Sequence, residues 1–585
     1  MTISTSLPKS LLPFRIVLAV IIFASGSTNV AWAQDESIPE RGDRGIEITP
    51  SEGLTPEDQQ APDSHPQIMI LPTLPPVMKS EDTLSTISSI NVNRIFLEGN
   101  SVLPDSEVSA VVAPYEHRLI DIGELHDLRY KLSLLYYNHG YVTSGVIIPD
   151  QKVDGGNIKL QAIEGRLKKV EFVGNRRLRD SYLLERIDLD FDAPLNTKEI
   201  QNSLQVLQLN PRIRQINAQL LPGINQGESI LRVKVTENQN YWFHAAADNY
   251  GSPSVDENRV SFSAGHNNLT GNGDVIDFNA GTSKGLNDYG VSYAYPITRR
   301  ELVLKAYYSK TNSSVVEQPY DLIDIASVTE TWGVALSRPY RSNTGRLLVA
   351  SAGFEHKRGA NTLLGIPFSF SPGEQDGKSA VSVLHLSADW LWQKPLQALE
   401  ILAGFRIGVD KLDATINANA PDSRFASFQG QVQMARKLAW RNSQVVLRSA
   451  AQLTHDPLLP LEKFSVGGNA TVRGYRENTF VRDNGLVASA EIRIPIVVDM
   501  DGVDLMNMAI VPFADYGAAW DVDKNSPTSN KEYINSIGLA YRWIIDKSWF
   551  FQAAYGHALK DVYLPADTLQ ERGLQFQLAY SLVTD

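Results

Sequence analysis

From about Tyr241 to the end of the chain, hydrophobic and polar residues alternate with a period of two. In LVASAEIRIPI, Leu486, Ala488, Ala490, Ile492 and Ile494 fall on one face, and Ser489, Glu491 and Arg493 on the other. SIGLAYRW sets Ile537, Leu539, Tyr541 and Trp543 against Gly538, Ala540 and Arg542. SWFFQAAYG and LQFQLAYSL repeat the arrangement, with Trp549, Tyr555 and Tyr580 on the apolar faces. This period predicts β-strands. Upstream the pattern differs. LHDLRYKLSLLYYNHG carries Leu128, Leu132, Leu135 and Tyr136 at helical spacing, and Gly140 closes the run.

That upstream region contains an internal repeat. VNRIFLEGNSVLPDSEVSAVV, from Val92, aligns without gaps on LKKVEFVGNRRLRDSYLLERI, from Leu167. They share Gly99/Gly174, Asn100/Asn175, Leu103/Leu178, Asp105/Asp180 and Ser106/Ser181. Each copy opens with a strand, turns at Gly-Asn and continues into a helix. A second helix follows in each (TKEIQNSLQVLQL in the second), then a hairpin. Two β-α-α-β-β units are predicted, over 91–166 and 167–238.

Alternation suits a sandwich as well as a barrel. Two features favour a membrane barrel over 239–585. Ionic groups such as Glu491, Arg493 and Arg542 fit a wet lumen, while Tyr and Trp at strand ends fit interfacial girdles. The connections also alternate in length: RSNTG, QKPLQ, AWRN and IDKS are tight, whereas TNSSVVEQPYDLI and GANTLLGIPFSFSPGEQDGKS are long. The expected fold class is α+β units followed by an all-β transmembrane barrel of about sixteen antiparallel strands in outer-membrane lipid. The even count returns both barrel ends to the periplasmic side.

The first residues agree with export. Lys9 and Arg15 precede an apolar run, and Ala31 and Ala33 supply small residues for cleavage, which predicts a signal peptide over 1–33. A membrane anchor is the other reading, but the run is short and ends in polar and small residues. Residues 34–90, rich in proline and acids, read as a periplasmic tether. A net charge of −12 gives no sign of a nucleic-acid partner, and the absence of cysteine excludes thiolate chemistry. GTSKG, ending at Gly285, imitates a hydrolase elbow but falls in a hairpin rather than a strand-to-helix turn. No metal spacing or nucleotide loop is visible. No enzyme, cofactor or nucleotide partner is expected.

One long connection breaks the pattern. The segment FSVGGNATVRGYRENTFVRDNG joins the eleventh strand to the twelfth and mixes Phe464, Val466, Val472, Tyr475 and Phe480 with glycines, as if it packs against something. Its centre, Val472, Arg473, Gly474 and Tyr475, resembles the VRG(F/Y) motif of the outer-membrane assembly and two-partner secretion superfamily. Phe513, Asp515 and Gly517 in VPFADYGAAW resemble that superfamily's F-x-D-x-G strand motif. The repeated units resemble POTRA (polypeptide-transport-associated) domains, and GYVTSGVIIPDQKVDGGNIKLQAIEG and the barrel opening ADNYGSPSVDENRVSFSAGHNNLTGNGD resemble the two-partner secretion branch.

The resemblance covers about Asn91 to the C-terminus. It implies an outer-membrane pore, monomeric, with its POTRA domains in the periplasm, that translocates and activates an unfolded haemolysin- or adhesin-like exoprotein. It also implies that loop 456–484 folds into the barrel and that Arg473 meets Asp515. An Arg fork on a carboxylate suits such a contact. Client capture by strand addition is expected along residues 141–149, through Tyr141, Val142, Ser144, Val146 and Pro149. For Val142 and Val146 a place in the domain core is the other reading. Two further functions stay open: an assembly factor that inserts other barrels, and a passive porin or surface scaffold. Some relatives carry an N-terminal plug helix; none is predicted here.

Overall fold

A computed structural model describes residues 89–582, except 188, 299–300, 344, 420, 497–498, 501–502, 505–507, 524–529, 546–547 and 563–567. The signal peptide, and the tether up to residue 88, lie outside the described residues. The chain divides after Asn238 into two compact units.

The first unit contains two similar halves. The first has β1 (Ile90–Val92), β2 (Arg94–Glu98), α1 (Asp105–Val112), β3 (Arg118–Ile120), α2 (Ile122–Asn138), β4 (Gly145–Ile147) and β5 (Asn157–Ile163). The second has β6 (Arg166–Val173), α3 (Asp180–Leu184), α4 (Thr197–Gln208), β7 (Ile213–Pro222) and β8 (Glu228–Glu237). Their sheets are ordered β2-β5-β4 and β6-β8-β7, and in each the opening strand runs parallel to the closing one. The repeated asparagines do the same work in both halves. The Asn100 and Asn175 amides donate to the Leu103 and Leu178 carbonyls at 2.9 and 2.8 Å, holding the turn into the first helix.

Each half has its own core. Leu128, Leu132 and Tyr136 of α2 are fully buried in the first; Ile200, Leu204 and Leu207 of α4 fill the second. A capping box starts α2: Asp121 accepts the Glu124 amide at 2.7 Å, and the Glu124 carboxylate accepts the Asp121 amide at 3.1 Å. Asp121→Ala is therefore expected to cost about 1 kcal/mol locally. Hydrogen exchange in the first turns of α2, measured on the full chain, should quicken about fivefold. An unchanged rate would show that the cap carries no load.

The second unit is a closed antiparallel barrel. Its sixteen long strands are β9 (Tyr241–Asp248), β10 (Arg259–His266), β11 (Val275–Thr282), β12 (Leu286–Pro296), β13 (Val303–Ser314), β14 (Ile325–Asn343), β15 (Arg346–Leu363), β16 (Lys378–Lys394), β17 (Gln397–Val409), β18 (Ala426–Lys437), β19 (Gln444–Thr454), β20 (Asn484–Ile496), β21 (Met508–Trp520), β22 (Glu532–Ile544), β23 (Trp549–Ala558) and β24 (Leu574–Ser581). β24 pairs with β9 to close the ring. Alternation sorts side chains as a barrel requires: Ile537 and Leu539 are 50% and 51% exposed on the outer wall, while Ser536 and Ala540 are buried. Connections after β9, β11 and every second strand thereafter lie at the end opposite the chain's entry at Tyr241. Ser283 of the GTSKG segment sits in the β11–β12 turn, where its hydroxyl donates to the Val255 carbonyl at 2.6 Å.

Candidate functional site

Residues 455–483, between β19 and β20, do not project from the barrel. Their apolar residues explain why. Val466, Val472, Tyr475 and Phe480 form a buried cluster with Val487 of β20, Ala519 of β21 and Ile534 of β22, all on the inner wall. Burying several such side chains favours the inward position by roughly 1.5–3 kcal/mol each before the entropy of ordering the loop is charged.

Arg473 lies at the centre of this packing. Its Nε donates to Asp515 Oδ2 at 2.8 Å and its Nη2 to Asp515 Oδ1 at 2.8 Å, a two-pronged grip. Nη1 donates to Glu491 Oε1 at 2.8 Å, and Nη2 also reaches Ser489 Oγ at 3.1 Å. The Arg473 backbone amide adds a third hydrogen bond to Asp515, donating to Oδ2 at 3.1 Å. The guanidinium carbon stands 3.6 Å from the centroid of the Phe513 ring. Arg473 is 7% and Asp515 4% exposed, so the charges meet away from bulk water. Two carboxylates on one guanidinium leave negative charge, which Arg448 and Arg493 flank at 3.5 and 3.4 Å from Glu491.

The neighbouring motif residues shape the seat. Gly474 has φ +88, and a Cβ there would stand 2.6 Å from the Gly556 carbonyl oxygen. A Cβ on Gly556 would stand 2.6 Å from the Gly474 nitrogen, so loop and β23 meet backbone to backbone. A Cβ on Gly517 would collide with the Val466 and Val472 side chains. The Tyr475 hydroxyl lies 2.9 Å from the Lys560 carbonyl and 3.0 Å from that of Asn535.

The loop is held elsewhere too. Glu462 accepts from Arg406 Nε at 2.9 Å and pairs with Lys357 at 3.1 Å, tying its start to β17 and β15. Asp483 accepts the Leu458 and Val522 amides at 3.0 and 2.9 Å and pairs with Lys463 at 3.2 Å. Glu462 and Gly556 were not singled out from sequence, and Glu491 was read only as a lumen-facing ionic group, not as a partner of Arg473. One signal was present: Val487 is a bulky apolar residue on a strand face that otherwise carries Ser489, Glu491 and Arg493, marking where something packs.

The stretch 141–149 behaves differently from its expectation as an open edge. Val146 is 2% exposed in the first core, Val142 packs against the second core, and the Ser144 hydroxyl accepts the Gly165 amide at 2.9 Å. The Val146 amide donates to Ser133 of α2 at 3.0 Å, so helix α2 covers that edge. Tyr141 packs on the first core and Pro149 is half-buried. α2 thus lies alongside the three-residue strand β4, and these side chains contribute to the packing of the two halves.

Comparison with known proteins supplies the remaining context. Residues 227–541, more than half of the chain, match the family described as haemolysin secretion/activation protein ShlB/FhaC/HecB, and residues 90–165 match the ShlB-type POTRA domain. The chain is 21% identical over 461 residues to the outer membrane transporter CdiB of Dickeya dadantii, covering 76% of this chain and 79% of that one. It is 21% identical to the haemolysin transporter protein HpmB of Proteus mirabilis, covering 72% and 73%. The solved structure of CdiB from Escherichia coli superposes with a TM-score of 0.57 at 16% identity, covering 99% of this chain and all of that one. BamA from Haemophilus ducreyi, lacking POTRA domains 1–3, superposes with a TM-score of 0.54 at 14% identity, over 84% and 100%.

Proposed function

Since the chain belongs to the ShlB/FhaC/HecB family of haemolysin secretion/activation proteins, we propose how its parts divide the work of two-partner secretion. The barrel lies in the outer membrane with its POTRA region in the periplasm, and the chain is a pore that translocates a secreted partner protein. The far-end loops accordingly face outward. In our reading 91–166 and 167–238 act as two POTRA domains that receive an unfolded haemolysin- or adhesin-like exoprotein. Strand addition needs an unpaired edge. β6 supports that role better than 141–149: it is an eight-residue edge strand paired to β8 along one side, with a single bridge from Arg166 to Pro194 on the other.

The observation that carries the proposal is the seated loop. Its tip is fixed by a two-pronged ion pair, a stacked ring and a backbone-to-backbone approach, three kinds of contact that must break together. This favours Arg473–Asp515 as a brace that keeps its place while other parts of the loop yield to the client. A buried pair of this type fixes geometry more than it stabilises. The working unit is a monomer, uses no nucleotide and acts without enzymatic chemistry. Folding of the client outside the cell supplies direction.

One observation favours the second reading, an assembly factor for other barrels: the β24–β9 register is short, at five residue pairs. Deleting the gene and comparing culture supernatant with outer membrane separates the two. Loss of one large secreted protein is expected. General loss of barrels would favour the assembly factor, and no change in either fraction would contradict both.

A further inference from the structure

The seam between the last and first strands is the barrel's weakest ladder. Five pairs join Gln577–Ser581 of β24 to His244–Asp248 of β9, against seven in β23–β24 and eight in β9–β10. One backbone bond continues past each end of this ladder, Asn249 to the Phe576 carbonyl at 3.2 Å and Leu582 to the Phe243 carbonyl at 2.8 Å; towards the outer end side chains then join in. Asn249 donates through Nδ2 to the Leu574 carbonyl at 3.0 Å and accepts the Phe576 amide at 2.8 Å. Gln570 donates to the carbonyls of Gly251, at 2.7 Å, and Asn249. The Glu257 carboxylate accepts the Leu569 and Gln570 amides at 3.3 and 3.2 Å. The segments 249–257 and 569–576 are thus stitched together across the seam.

A second buried arginine of the inward loop enters this stitching. Arg476 grips Glu317 with both Nη atoms at 3.0 Å, and its Nη1 donates to Glu571 at 2.9 Å. Its Nη2 lies 3.4 Å from Ser254 Oγ. Ser254 follows β9 and Glu571 precedes β24, so one guanidinium touches both sides of the seam. The Glu477 amide donates to Gln570 Oε1 at 2.9 Å beside it. Without Arg476, Glu317 and Glu571 would share a buried site with no counter-charge from the loop, and repulsion would replace attraction.

We propose that Arg476 makes the seated loop a splint across the β24–β9 seam, so that closure of the barrel depends on the loop's position. This is separate from the role of Arg473, which meets strands away from the seam. It concerns barrel closure and does not rest on the identity of the client.

The native chain has no cysteine, so paired cysteines can isolate the seam. Ala246 and Ala579 are direct partners across it, and Ala388 and Ala403 are direct partners on the far wall, between β16 and β17. Opposed positions of this kind lie within reach of a disulfide. The readout is the temperature at which the full-length barrel loses its compact mobility in SDS. Arg476→Ala is expected to lower it by roughly 10 °C. Oxidised Ala246→Cys/Ala579→Cys should restore it, and oxidised Ala388→Cys/Ala403→Cys should not. Should Arg476→Ala fail to assemble, Glu571→Gln should give a smaller drop with the same pattern of rescue. No drop, rescue by neither pair, or equal rescue by both would overturn the proposal.

Discussion

Arg473→Ala is expected to abolish secretion of the partner exoprotein while leaving the barrel folded in the outer membrane. The substitution strips the counter-charge from buried Asp515 and removes one of three arginines around Glu491; Arg473 contacts both carboxylates at 2.8 Å. Removing one partner from such a site costs about 3–5 kcal/mol, enough to shift the balance of seated to unseated loop by roughly 10²–10⁴-fold. The barrel survives because Asp515 sits within intact ladders from β21 to β20 and β22. Arg473→Lys should rescue poorly. A single ammonium cannot reproduce the fork on Asp515, the bond to Glu491 and the flat stack on Phe513 at once. Supernatant levels of the exoprotein, set against the barrel's abundance and heat-modifiability, check this. Normal secretion by the alanine variant would refute it.

Gly556→Ala should block secretion almost as completely, although residue 556 carries no charge and lies outside the two motifs. Its Cβ would stand 2.6 Å from the Gly474 nitrogen, and backbone cannot yield as a flexible side chain can. Gly474→Ala adds a second penalty, because φ +88 is unfavourable to any residue with a Cβ. Gly365→Ala is the control. Its φ of +75 brings the same kind of strain, about 1 kcal/mol, but nothing lies within 4 Å of the added carbon. Secretion should therefore fail in Gly474→Ala and Gly556→Ala and persist in Gly365→Ala. Normal secretion in Gly556→Ala would mean that the loop's close approach to β23 is dispensable.

The barrel was legible because lipid outside and water inside impose opposite chemistry on alternate residues, and Ile537 and Ser536 obey that rule without reference to any distant contact. Asp515 was legible through the resemblance of Phe513, Asp515 and Gly517 to the F-x-D-x-G strand motif, and alternation then placed it on the inward face. Contacts made by Arg476 were not. Its partner Glu317 lies 159 residues away and Glu571 lies 95 away, and a carboxylate in a loop looks the same in sequence whether solvated or buried. The helix cover over residues 141–149 was not legible for the same reason. A valine covered by a helix and a valine awaiting a strand have identical neighbours in sequence, and only the Ser133 contact to Val146 separates them.

The most direct test of the central claim is a double-mutant cycle on the residual secretion rate, using the partial variants Arg473→Lys, Asp515→Asn and the two together, since the alanine variants leave nothing to multiply. If the pair acts as one brace, either single change already undoes the shared grip, and the double variant should secrete no worse than the more defective single. Losses that multiply would show that Arg473 and Asp515 act independently, and would contradict the brace.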